Sequence, residues 1–487
     1  MADKSPDIRA KDAQSKARAA LHEWSEKNLK DRLDLVKAIR YRLAESSNAL
    51  AEAISKDVGK SAKAALMGEV LPSLDAMNQM MAKAGSEMAT KSLGTGLKQF
   101  YLGSRKVKVH RQPYGVVAII GTWNYPLFLN IDPIIAAIIA GNTVIWKPSE
   151  FMPNTTKAMQ HLFEPLPQNV IQVLEGGPDL GREITLTSVD KVVFTGSTAT
   201  GRKVAAQAAH HVTPLDMELG GKDAMIILED ADIPAAVKAA VWGMCNNAGQ
   251  TALKPARIFV HAAIYDAFKE KFVKAITELK VGPADAKDTQ LGPMMNDPLT
   301  RFAEMMVTDA TKKGARLLFG GHRMTDIQGH FFAPTVLEGV TDSMRLEQED
   351  VWAPITTLRK FDNTSQATGW VNGHRLGMTA SVWGKNIKAA EAVAGKLDIG
   401  TIMINNVSAS AADVSAPFGA RRMSGYGLRH GGWSISSMTR PQVVSVSKGL
   451  FKPPYVSRAT FQDKWAKMLI ALKSGQYKKL MELVKSK

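Results

Sequence analysis

Between Gln112 and Trp146 the chain carries a single charged residue, Asp132, in a run long enough to span a bilayer. A hydrocarbon core needs roughly 20 consecutive apolar residues, so such a run either crosses a membrane or lies inside a protein. Its punctuation decides for the protein interior: Asn124, Pro126, Asn130, Pro133, Gly141 and Asn142 cut it into pieces. Val116–Ile120 and Thr143–Trp146 are short β-branched runs of the kind that form parallel strands covered on both faces. Between them Asp132–Ala140 reads as an apolar helix, with Pro133 in its first turn and Gly141 as its stop. The segment is a buried βαβ unit.

The same alternation continues. Residues up to about 90 have the pattern of amphipathic helices, with Pro72 in a first turn or at a break, and Lys106–Arg111 alternates like an exposed strand. Ile171–Val173, Lys191–Phe194 and Ala224–Leu228 are further strands, and helices are predicted from about Gly201 to Ala209 and over Ile233–Met244. Strand and helix keep alternating beyond residue 255, which places α/β layers in more than one domain. At ~150 residues per domain, 487 residues suggest about three. A chain that is 45% hydrophobic and 22% charged has ample material for large ordered cores.

Lys and Arg outnumber Asp and Glu by 62 to 46, a net charge of +16. Residues 455–487 alone hold eight cations against Asp463 and Glu482, a net +6. There is no Cys/His spacing for a metal, no aromatic RNA-binding motif and no basic run resembling a DNA arm, so nucleic acid is not an expected partner. The polar start lacks a signal peptide's apolar core, and one cysteine cannot pair within the chain; both point to the cytoplasm. In the tail, Phe461, Trp465, Met468, Leu469 and Leu472 recur at helical spacing, as do Tyr477, Leu480, Met481 and Val484, with lysines between. Such a face suits peripheral contact with an anionic membrane, or docking on the protein or a partner subunit.

Four local patterns can carry chemistry. GTWNYP, 121–126, follows a buried strand, where sheets present ligand loops, and Asn124 there can offer an amide N–H to an oxyanion or simply serve a turn. WKPSE, 146–150, puts Lys147 and Glu150 at the next strand end, suited to phosphate or ribose, or to solvent. FTGSTATG, 194–201, is a strand, a glycine-bearing turn and a helix start, a geometry that accepts pyrophosphate and that is also common for conformational reasons alone. MELGGKDAMIILEDAD, 217–232, places Glu218 before paired glycines, as a general base or an ordinary turn residue.

Taken together, in this order, and with WGMCNNAGQTALKP at 242–255, QEDVWAPI at 348–355 and APFGARRMSGYG at 416–427, these segments resemble the NAD(P)-dependent aldehyde dehydrogenase superfamily from roughly residue 10 to 450. WNYP and WG…N-A-G-Q-T…P resemble its class 3 branch of fatty, aromatic and coniferyl aldehyde dehydrogenases. The resemblance implies an α/β fold with a Rossmann-like cofactor domain over 1–97 and 113–216 and an α/β catalytic domain over 217–415. A small β oligomerisation element would use 98–112 and 416–450, leaving 451–487 as the basic amphipathic tail. It implies a homodimer that oxidises an aromatic or medium- to long-chain aliphatic aldehyde to the acid. The cofactor would be NAD, with NADP also open, because Glu150 repels a 2′-phosphate while relatives accept both. Asn124 would donate to the oxyanion and Glu218 would activate water. Lys147 and Glu150 would hold the adenosine ribose, Gly196 and Ser197 the phosphates, and Trp123 and Leu219 would lie along the cofactor.

The family's cysteine stands two residues after Gln in G-Q-x-C, where this chain has Gly249, Gln250, Thr251 and Ala252. Ala252 cannot attack a carbonyl, and Cys245 reads as a small buried hydrophobe. Asn247, Gly249, Gln250 and Thr251 are retained around the lost thiol, which favours an inactive Cys-to-Ala form of an oxidising enzyme. The alternative is a natural pseudoenzyme, a dinucleotide-binding scaffold without redox activity. Its support is that Asp350 replaces a ribose-binding Glu, Trp352 a Phe, and Ala353 and Ala420 glycines. Asn246, where relatives are often apolar, is expected to make one side of the substrate tunnel polar.

Overall fold

The computed structural model describes residues 5–93, 105–407, 413–447 and 459–485. Residues 98–104 of the expected oligomerisation element and the Phe461 side chain lie outside the described residues. Two compact units are present, one within Met1–Met88 and Arg111–Arg440, the other within Ala89–His110 and Pro441–Lys487.

The larger unit holds two sheets. In the first the strand order is Gly425–Tyr426, Leu215–Glu218, Lys191–Thr195, Val116–Ile120, Thr143–Lys147 and Ile171–Val173, all parallel except the Gly425–Tyr426 edge. Val116–Ile120 has the bounds its sequence predicts and is buried along its whole length, as expected of a central parallel strand. Helices Leu29–Glu45 and Leu71–Met88 share a core with the apolar Phe128–Ala140 helix, and Pro72 lies at a break in a longer helical run, just after the π-helical turn Leu66–Val70. The second sheet has seven strands, ordered Arg316–Phe319, Thr335–Glu338, Ile355–Phe361, Arg257–His261, Ala224–Ile227, Thr379–Trp383 and Thr401–Ile404.

The βαβ unit differs from its sequence reading in one respect. The helix runs Phe128–Ala140, starting a turn before Asp132, so Pro133 is inside it. A proline there removes the N–H that would bond the carbonyl four residues back, Leu129 O. That carbonyl instead accepts from Arg429 Nη1 at 3.2 Å, which explains why the helix tolerates the residue. The run's one charge, Asp132, accepts from Ser434 Oγ at 2.9 Å. Likewise the helix expected from Gly201 begins at Thr198, because Ser197 Oγ caps it by accepting from Thr200 N–H at 3.2 Å.

Asn130 fixes the loop after the central strand. Its Nδ2 donates to Thr122 O at 3.1 Å and Pro126 O at 2.8 Å, and its Oδ1 accepts from Trp146 Nε1 at 2.9 Å. Gly121 is required opposite it, since a Cβ there would fall 1.6 Å from Asn130 Oδ1.

The boundary expected at 416 cuts a segment that stays with the larger unit: Arg421–Arg422 pairs with Leu376–Gly377, and Gly425–Tyr426 with Met217–Glu218. The smaller unit contains Lys91–Leu93 and most of two further strands: Arg105–Pro113, with which Lys91–Leu93 pairs antiparallel, and Thr439–Ser447, the third strand of that sheet. It also contains the helices Ala459–Lys473 and Tyr477–Lys485. Among the described residues no helix is long and apolar enough to cross a membrane.

Asn130→Ala leaves the indole of Trp146 and two loop carbonyls without their buried partner. It should cost on the order of 3 kcal/mol and lower the thermal unfolding midpoint, as read by circular dichroism. An unchanged midpoint would show that the loop is held elsewhere.

Candidate active site

Four parallel strand ends and one turn supply the site. Thr122–Tyr125 follows the Val116–Ile120 strand, Thr195 and Gly196 end the next, Glu218 ends the Leu215–Glu218 strand, and Lys147 ends the Thr143–Lys147 strand. Residue 252 arrives from the helix Ile233–Cys245 through a short turn, Asn246–Gly249. Asn247, Ala248 and Gly249 all have left-handed backbones, at φ 50°, 56° and 72°. Only glycine adopts this region without cost, so the two non-glycine residues hold strain that the surroundings must offset.

The surroundings do so with hydrogen bonds. Asn247 Nδ2 donates to Asn124 O at 2.9 Å and Gln250 O at 3.2 Å, while Gln250 Nε2 donates back to Asn247 O at 3.0 Å. Gln250 Oε1 accepts from Met295 N–H at 2.7 Å. Lys254 Nζ bonds three carbonyls, Gly249 O, Val351 O and Ala353 O, which joins the 252 turn to the 351–353 loop. Burial pulls this ammonium down to about 7, while three carbonyl acceptors give each of its protons a partner.

The paired glycines after Glu218 are explained by contact. A Cβ on Gly221 would lie 2.3 Å from Ala252 O, and one on Gly220 would lie 2.5 Å from Asp350 Oδ2. The Glu218 strand end therefore lies directly against positions 252 and 350. Asn124, Glu218 and Ala252 line one cavity of about 540 Å³, with Tyr125, Trp242, Leu253, Met378 and Phe418 among its apolar walls.

Within it Asn124 is buried, its Oδ1 accepting from Thr122 Oγ1 at 2.9 Å and its Nδ2 donating to Gln250 O at 3.2 Å. One amide proton remains on that nitrogen. Glu218 Oε1 pairs with Arg429 Nε at 2.7 Å. Burial pushes the Glu218 carboxyl above its ordinary range, Arg429 opposes that shift, and Asp132 and Asp216 add to it. Arg429 is held by Leu129 O and by Thr195 Oγ1 at 2.6 Å. Lys60 lines the same cavity; its Nζ reaches Glu69 Oε1 at 2.7 Å and Asn124 O at 2.9 Å and lies 4.1 Å from the Tyr125 ring centre. Asn246 Nδ2 donates to the Tyr125 hydroxyl at 3.1 Å, a polar spot on one side of the cavity.

A second cavity, about 960 Å³, contains Trp123, Lys147, Glu150, Gly196, Ser197, Asp350 and Trp352 in its wall. Thr195, Gly196 and Trp352 border both cavities. Lys147 Nζ donates to Pro148 O at 3.1 Å and Glu150 Oε2 at 3.3 Å, and its burial lowers its proton affinity. Leu219 is buried, packed where a Cβ on Gly201 would come within 2.5 Å of it. Asp350 Oδ2 accepts from Gly221 N–H at 3.3 Å and from Trp352 Nε1 at 2.7 Å, and the Trp352 ring lies 5.6 Å from that of Trp123.

All eleven residues marked in the sequence thus border these two cavities or pack against their walls. Arg429, Thr195, Lys60, Glu69 and Lys254 were not marked. Thr195 and Lys254 lie inside the 194–201 and 242–255 segments but their roles, like those of Arg429, Lys60 and Glu69 outside any such segment, depend on contacts between distant parts of the chain. The structure puts Cys245 elsewhere: it is half-buried, packs between two apolar clusters and lines a different cavity from Ala252. Burial pushes its thiol up to about 12.

The sequence model of the aldehyde dehydrogenase family matches residues 3–444. The chain is 33% identical over 429 residues to 4,4′-diapolycopene aldehyde oxidase of Methylomonas sp, covering 88% of this chain and 79% of that one. It is 30% identical over 439 residues to betaine aldehyde dehydrogenase of Vibrio vulnificus, covering 89% and 88%. An aldehyde dehydrogenase of Bacillus cereus, solved as an NAD+ complex, superposes with a TM-score of 0.86 at 29% identity over 91% of this chain and 89% of that one. The chain belongs to the aldehyde dehydrogenase family.

With its thiol at about 12 against an ordinary 9.0, Cys245 should react with a disulfide reagent at pH 8 roughly a hundred- to thousandfold more slowly than in the unfolded chain. Its rate should keep climbing at pH values where the unfolded control has levelled off. Equal rates for native and unfolded chain would contradict this placement.

Proposed function

We propose that the chain carries the framework for NAD(P)-dependent oxidation of an aldehyde to its acid, in a class 3-like branch of the family, and that Ala252 leaves it without turnover. One observation carries the reading: the nucleophile position, Asn124 and Glu218 line a single cavity, and the hydrogen-bonded turn that presents residue 252 is intact. With a thiol at 252, attack on the carbonyl would form a thiohemiacetal whose oxyanion meets the remaining amide proton of Asn124. NAD(P)+, when bound, supplies a hydride acceptor. Glu218 then takes a proton from the water that hydrolyses the thioester, and its raised proton affinity makes it a stronger base than an exposed carboxylate.

The larger cavity suits the cofactor by its chemistry. The eleven-residue helix Thr198–Ala208 opens its amino end beside Gly196 and Ser197, fit for a pyrophosphate, while Lys147 and Glu150 are placed for ribose hydroxyls. The volume, about 960 Å³, is at the upper end of the ~300–1,000 Å³ usual for ligand sites. Aromatic or medium- to long-chain aliphatic aldehydes match the apolar walls of the smaller cavity. We extend the reading to a homodimer, and to the cytoplasm, which a single unpaired cysteine supports.

A natural scaffold that binds dinucleotide without redox chemistry is the second reading. It draws on Asp350, whose carboxylate is engaged by Gly221 and Trp352, and on the packing of Trp352 against Trp123.

Ala252→Cys should produce NAD(P)H when given benzaldehyde or a medium-chain aldehyde, followed by absorbance, whereas the chain as it stands should produce none. A folded variant that binds NAD(P) yet oxidises no aldehyde would favour the scaffold. Adding Arg429→Met should remove the cation that lowers the proton affinity of Glu218, moving the acid limb of the pH–rate profile upward. An unmoved limb would show that Glu218 is not the titrating base.

A further inference from the structure

We infer that the helices Ala459–Lys473 and Tyr477–Lys485 form a docking face for an anionic phospholipid surface. The two helices lie against each other, with Trp465, Met468, Leu469, Leu480 and Leu483 half-buried. A second apolar set remains in solvent: Ile470 is 64% exposed, Tyr477 66%, Met481 55% and Val484 53%. Tyr477, Met481 and Val484 follow one another at i, i+4 and i+7, one line along their helix. At the i−3 and i+4 positions around Met481 stand Lys478 and Lys485, both exposed, so lysines flank the apolar line on the same face. On the first helix Ile470 has Lys467 and Lys473 at i−3 and i+3.

The charge identifies the partner. The described segment from Asp463 to Lys485 carries six lysines against Asp463 and Glu482, a net +4, and Asp463 is already paired with Lys467 at 2.5 Å. A lysine beside an exposed apolar side chain can lay its stem along a membrane interface with the ammonium among headgroups, while the apolar side chain enters the acyl boundary. Anionic lipid answers both features, whereas a soluble acidic polyanion answers only the lysines. A two-fold contact of this face with itself would set lysines against lysines. Stable peripheral binding needs two weak signals, and the hairpin supplies an apolar line and a basic flank.

The full chain should co-sediment with vesicles of phosphatidylcholine containing phosphatidylglycerol, and at least about tenfold less with phosphatidylcholine alone or at high salt. Two double variants test the two features separately: Lys478→Glu with Lys485→Glu, and Met481→Asp with Val484→Asp. All four positions are exposed, so each protein should keep its thermal midpoint and its sedimentation coefficient while losing vesicle binding by about tenfold or more. Equal binding to neutral vesicles, or undiminished binding by both variants, would overturn the inference. So would a changed sedimentation coefficient without any vesicle binding, which would make the face a contact between subunits.

Discussion

The site depends on a close approach of backbones. Gly220 and Gly221 leave no room for a side chain between the end of the Leu215–Glu218 strand and residues 252 and 350. A methyl group at Gly221 would overlap the Ala252 carbonyl, so Glu218, residue 252 and Asp350 are held as one set. The strained turn at Asn247 and Ala248 is the other half of that constraint. Its left-handed residues persist because Asn247, Gln250 and Lys254 bind it from three sides. The proposed reading rests on this arrangement: the turn that presents residue 252 is held in place although residue 252 is an alanine.

Electrostatics around Glu218 follow from a helix irregularity. Pro133 frees the Leu129 carbonyl, that carbonyl and Thr195 orient Arg429, and Arg429 holds the Glu218 carboxylate. Burial drives Glu218 toward its neutral form, and the guanidinium counters this. A proline that reads locally as a helix start therefore helps to position the Glu218 carboxylate.

Much of this was legible in the sequence, for physical reasons that differ by element. The strands at Val116–Ile120 and Ile171–Val173 have the predicted bounds because short apolar runs between turn residues permit little else. Helix starts were less legible: the Phe128 start depends on a bond from Arg429, and the Thr198 start on the Ser197 cap. In the site, Asn124, Glu218 and position 252 could be marked because each belongs to a compact motif. Arg429, and the buried pair Lys60–Glu69 behind Asn124, could not, since their partners come from distant segments. The single cysteine was open to two readings, and it packs outside the cavity of Ala252.

The central claim is that only the nucleophile is missing from an otherwise formed aldehyde-oxidising site. Intact-protein mass spectrometry of the Ala252→Cys variant, quenched in acid during reaction with aldehyde and NAD(P)+, tests it most directly. The account predicts a mass gain of one acyl group per chain, mapped to the substituted position, and none on the chain as it stands. A folded, cofactor-binding variant that gains no acyl group, or an adduct found on Cys245, would contradict it.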